Sequence, residues 1–73
     1  MKAFVLLFWF YEGDSNLVDS FIDIFSTYEK ALEYKNLTDE LNLEILDSSE
    51  IDRKMNGYYG NSPFFEIREC EIK

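Results

Sequence analysis

The stretch AFVLLFWFYEGD, residues 3–14, decides the fold. Nine consecutive apolar or aromatic residues, Ala3 to Tyr11, run directly into an acidic, glycine-containing turn. The run is short for a buried helix, is rich in Phe, Val, Leu, Trp and Tyr, and stops at Gly13, which together favour a strand. In a strand, Phe4, Leu6, Phe8 and Phe10 point one way, and Val5, Leu7, Trp9 and Tyr11 the other. Both rows are apolar, the pattern of a central strand covered on its two faces. The sequence therefore demands two covers for one strand, and one of them could be supplied by another protein.

Working outward, EGDSN (residues 12–16) is rich in turn formers and is expected to reverse the chain. Residues 17–25 read as a second strand, antiparallel to the first. Strict alternation puts Val18, Ser20, Ile22 and Ile24 on one face, with Leu17, Asp19, Phe21, Asp23 and Phe25 on the other. Ser26 followed three residues later by Glu29 forms a capping box, with Phe25 placed as a hydrophobic staple, so a helix is expected from Thr27. Its candidate buried residues are Tyr28, Ala31, Leu32, Leu37 and Leu41, and it should end between Asn36 and Asn42. LEIL (43–46) fits a short strand or a helix continuation. DSSEIDRKMNG (47–57) fits a single capped turn, although Asn56-Gly57 is also a hairpin signal, and YYGNSP (58–63) fits a loop. FFEIRECEI (64–72) reads as a closing strand in which a change of phase near Glu69 suggests a bulge.

These elements give an α+β fold: a three-stranded antiparallel sheet in β-β-α-β order, one main helix on one face and a short extra element. The last strand is expected to pair with the first, leaving the most apolar strand in the middle. Seventy-three residues make a single domain, 1–73, which buries only roughly 60–65% of its unfolded surface. With one cysteine, Cys70, and no histidine, neither an internal disulfide nor a structural zinc is available as reinforcement. Aromatic burial or association is left to do that work. Seven Phe, five Tyr and one Trp suit it, at about 1.5–3 kcal/mol for each fully buried ring.

The stretch FSTYEKA (25–31), preceded by an aliphatic strand, an acidic turn and a second strand, resembles small uncharacterised domains of bacteriophage and bacterial genomes. Those domains share a hydrophobic first strand, a second strand ending in Val/Ile-Phe-Ser, a helix opening with x-Glu-Lys-Ala, and a closing strand similar to 64–72. The resemblance covers residues 3–34 and 64–72. It implies a phage or bacterial accessory protein of β-β-α-β type and brings no catalytic residue with it.

Enzymatic chemistry finds little support. The lack of histidine excludes a Ser/Cys-His arrangement, and Cys70 stands between Glu69 and Glu71, which disfavour its thiolate. Three scattered glycines build no phosphate loop, and DELNLEILDSSE (39–50) lacks the central glycine and alternating ligands of a calcium loop. The expectation is a protein that is not an enzyme and uses neither cofactor nor metal. The apolar run is too short for a membrane-spanning helix and no signal-peptide cleavage pattern follows it, so a cytoplasmic setting, the host's if phage-encoded, is expected.

Charge carries the functional signal. The net charge is -8, and between Glu12 and Asp52 twelve acids face two bases. Such a surface repels nucleic acid and anionic membranes and attracts basic partners. On this reading Asp19 and Asp23, about 13 Å apart on one strand face, begin an acidic row. Glu29, Glu33, Asp39, Glu40 and Glu44 continue it along the helix and beyond. An array of this kind mimics the charge of nucleic acid and could occupy the basic groove of a host nuclease, nucleoid protein or polymerase. The alternative is a homodimeric or partner-binding module that docks through an uncovered apolar row of the first strand, or through Tyr58 and Tyr59, and whose acidity only maintains solubility.

Overall fold

The computed structural model describes residues 1–13, 16–55 and 62–72. Along the chain come β1 (Lys2–Glu12), β2 (Asn16–Phe25), α1 (Tyr28–Thr38), α2 (Ser48–Met55) and β3 (Phe64–Glu71). The three strands form one antiparallel sheet in the order β2-β1-β3, so the apolar run occupies the centre. Glu12 and Asn16 close the hairpin, and Gly13 enters the turn at φ 71°, a conformation glycine adopts without a Cβ clash.

Each row of β1 has its own cover. On one face Leu6 is fully buried and Phe8 packs on Phe65, with ring centroids 5.1 Å apart. The helix α1 lies on this side through Ala31, which is fully buried, and through Tyr28 edge-on to Phe4 at 6.2 Å. On the other face Leu7 and Trp9 join Leu46, Ile51 and Phe64 in the main buried cluster, with Val5 and Leu17 packed against it. Trp9 and Phe64 stack at 6.0 Å with nearly parallel rings. The second cover is therefore intramolecular: residues 43–46 and α2 supply it.

The segment 43–57, read as strand or helix and then one turn, resolves into both over its described part. Ile45 bridges to Phe65 in parallel sense; the Leu46 N–H donates to the Phe65 carbonyl and the Phe65 N–H to the Glu44 carbonyl, each at 2.9 Å. This short piece seals the outer edge of β3. A two-turn helix follows, opened by a reciprocal cap in which the Glu50 N–H donates to Asp47 Oδ1 (2.9 Å) and the Asp47 N–H to Glu50 Oε1 (3.3 Å). The hairpin signal at Asn56-Gly57 lies outside the described residues, as does most of the expected loop.

Four expectations need correction. First, the expected bulge in β3 is absent; its register with β1 runs without a shift from Lys2↔Glu71 to Trp9↔Phe64. The apparent change of phase arose because Glu66 occupies an inward position, where it is buried and hydrogen bonded. Second, the irregularity falls in β2, where Leu6 pairs with Asp23 but Leu7 pairs with Phe21. This shift turns Phe25 toward α1, where it contacts Tyr34 at 5.5 Å, while Phe21 stays on the α2 side.

Third, the N-cap of α1 is Thr27 in place of Ser26. Its Oγ1 accepts the Lys30 N–H at 3.2 Å, and the Ser26 hydroxyl meets the Lys30 ammonium instead. Fourth, Leu37 and Leu41 are 78% and 75% exposed. The inner stripe of α1 advances from Ala31 to Lys35, one turn on, and six residues from Ala31 a side chain points away from the sheet.

If both rows of β1 hold the fold, truncating the inner one should cost far more than removing an exposed leucine. Leu6→Ala is expected to lower stability by about 3 kcal/mol, and Leu41→Ala by less than about 0.5 kcal/mol, as read from urea unfolding midpoints.

Candidate functional site

The register of β2 decides where the acids go. Asp19 pairs with Trp9 and Asp23 with Leu6, positions of opposite parity on a regular central strand. The two carboxylates are both exposed yet lie on opposite faces of the sheet. The expected single row is therefore broken at the register shift. Asp19 stands on the α2 side, where its charge acts on Arg68. Asp23 stands on the α1 side, and its Oδ1 accepts the N–H of Ile24 at 2.7 Å.

On α1 the picture is closer to expectation. Glu29 and Glu33 are exposed and one turn apart, a rise of about 6 Å. Glu40, in the turn after the helix, is exposed as well. Asp39 is not part of this array. Its Oδ2 lies 2.8 Å from Lys35 Nζ, with the two side chains only 3% and 5% exposed. The same carboxylate accepts the N–H groups of Leu41 (3.2 Å) and Leu43 (2.6 Å). Lys35 in turn sits over the Phe65 ring at 5.6 Å. This pair fixes the C-terminal end of α1 against the sheet and turns the chain toward the edge of β3, so its role is structural.

Glu44 is exposed and lines a cavity of about 640 Å³, together with Leu46, Phe64, Glu50, Arg53 and Lys54. Two acids and two bases share that wall, so the cavity selects no sign of charge. Lys54 covers the Phe64 ring at 5.4 Å. Tyr58 and Tyr59, the expected aromatic anchors, lie outside the described residues. Among the described residues no group of three or more metal-ligating side chains occurs, and no helix is long and apolar enough to cross a membrane.

Two features escaped the sequence reading. One is a buried polar knot on the α2 face: Trp9 Nε1 donates to Glu66 Oε1 at 2.9 Å, Arg68 Nη2 donates to the same oxygen at 2.9 Å, and Arg68 Nε donates to Oε2 at 3.2 Å. The Glu66 carboxylate raises the Arg68 guanidinium further above its ordinary value, chiefly through these hydrogen bonds. The Glu-x-Arg spacing in a strand, which places both side chains on one face, was its available signal. The other is the exposure of Phe21 (63%) and Ile24 (50%) on the edge strand β2. Its signal was an apolar strand too rich in large side chains for one short helix to cover.

No protein-family model, curated protein or solved structure matches the chain.

Two outcomes follow from this geometry. Burial raises the Asp39 carboxyl, but the Lys35 ammonium, by hydrogen bond and charge, and the Leu43 and Leu41 N–H groups outweigh it and hold the pKa below its ordinary 3.8. The stability this gives is complete above the unfolded value and is lost as pH falls through the lower folded value. Asp39→Asn should be less stable at pH 7 and show a flatter loss of stability between about pH 5 and pH 2, measured by urea unfolding across that range. At the polar knot, Glu66→Ala orphans the indole N–H and should cost about 2–3 kcal/mol. Glu66→Gln, which keeps an acceptor for Trp9, should cost less; unfolding followed by tryptophan fluorescence compares the two.

Proposed function

We propose that the protein binds a basic, nucleic-acid-handling protein by presenting an acidic surface in place of nucleic acid, as a phage-type inhibitor of a host nuclease, nucleoid protein or polymerase would. The observation that carries this reading is the outer side of α1 and its flanks. Glu29, Glu33 and Glu40 all face solvent there, with Asp23 on the same side of the sheet. Of the two lysines on the helix, Lys35 is turned inward and consumed by Asp39, which leaves Lys30 as the cation on its exposed side. Acids spaced by a helical turn repeat on a scale of about 6 Å, comparable with successive phosphates, and steer a cationic partner from a distance set by the ionic strength. The likeness of residues 25–31 to small phage and bacterial domains supports the choice of a host target.

A second reading has its own support. Phe21 and Ile24 are large apolar side chains left in solvent, as in a homodimeric or partner-binding module whose acidity only maintains solubility. The apolar rows of β1, by contrast, are already covered within the chain. Salt separates the two. Immobilised protein incubated with bacterial lysate should retain basic proteins at low salt and release them on competition with duplex DNA. Their affinity should fall about tenfold between 50 and 200 mM salt, and the double variant Glu29→Gln/Glu33→Gln should weaken binding. Recovery that is indifferent to salt but lost on Phe21→Ser/Ile24→Ser would favour the second reading.

A further inference from the structure

The two edges of the sheet are treated differently. On β3 the outward N–H and C=O of Phe65 are taken by Leu46 and Glu44. On β2, among the described residues, the only strand partner is β1. An edge strand turns every second backbone N–H and C=O away from its sheet, and those groups accept a further strand. At Ile24 that opportunity is closed, since the Asp23 carboxylate already holds its N–H beside the register shift. The run from Leu17 to Phe21 lies ahead of the shift and, among the described residues, has no strand partner on its outer side.

The side chains around this run say what fits it. The helix α2 has eight residues, about 12 Å of length, against about 36 Å for the eleven residues of β1. It covers the Trp9–Phe64 end of its face and stops short of Phe21 and Ile24. Asp19 shares that face with Phe21, two positions away along the strand. The open edge thus offers apolar contact and negative charge side by side. A second copy is a poor occupant: each chain carries a net charge of -8, and antiparallel self-pairing centred on Asp19 sets two carboxylates opposite each other. A cationic strand meets no such penalty.

We infer that the β2 edge from Leu17 to Phe21 takes a short, extended, lysine- or arginine-bearing segment of a partner protein as an added fourth strand. Its backbone pairs with the open edge, its apolar side chains meet Phe21 and Ile24, and its cations meet Asp19. This rests on the reading of the protein as a binder of basic partners and adds to it the conformation and docking place of the bound segment.

The test uses the full chain and two fluorescent probes, an acetylated and amidated Val-Thr-Lys-Thr-Val-Lys hexapeptide, whose alternate residues set Val, Lys and Val on one strand face, and the same hexapeptide methylated at every backbone amide. Methylation keeps the charge and removes the strand donors. The first peptide should bind at least tenfold more tightly, slow amide hydrogen exchange within Leu17–Phe21, and weaken on Asp19→Asn and on Phe21→Ser. Equal affinity for both peptides overturns strand addition and leaves the acidic-surface reading standing. Protection appearing elsewhere than on β2 does the same. Binding of neither peptide at low salt overturns both.

Discussion

A strand that is apolar on both sides cannot rest on one layer, and β1 imposes that condition on everything else in the molecule. Its two pairings, with β2 and β3, satisfy its backbone. Its two side-chain rows then need separate lids, which are α1 on the Leu6–Phe8 side and the 43–46 segment with α2 on the Leu7–Trp9 side. A domain of this size cannot make both lids wide. The outcome is a well-closed centre and an edge strand that keeps Phe21 and Ile24 in water.

Two buried charges sit at the joints between layers. Lys35 is drawn under α1, where Asp39 and the face of Phe65 compensate it. Glu66 is buried on the α2 face of the sheet, where the indole of Trp9 and the guanidinium of Arg68 do so. Such pairs are weak sources of net stability, because desolvation offsets their attraction, but removing the partner of Lys35 or of Glu66 leaves a buried charge stranded. Both act as pins of position. The first sits where α1 ends, and the second ties the Trp9 indole to β3.

Much of the architecture was legible because it follows from periodicity. The central strand, the reversal at residues 12–16, the helix near residue 28 and the closing strand all follow from apolar runs, turn formers and caps. What failed did so at positions where a polar residue took an inward place. Lys35 occupied the turn of α1 assigned to leucines, and Glu66 made a regular strand look bulged. The candidate acidic surface was legible only as composition. Which carboxylates share a side depends on a one-residue register shift in β2 that alternation alone does not announce, and it separated Asp19 from Asp23. Asp39 shows the same limit, since nothing in its spacing distinguishes a solvated acid from one that closes a buried pair.

The indole-to-carboxylate bond between Trp9 and Glu66 spans 57 positions of sequence. The β1–β2 hairpin and α1 are made from neighbours and can form early, whereas the Trp9 ring lacks its stacking partner until Phe64 arrives with β3. During synthesis the growing chain therefore holds a half-clad aromatic ribbon for most of its length, and its acidic segment is already in place before the last strand emerges. Mutual repulsion between like-charged copies opposes association of that ribbon with its own kind.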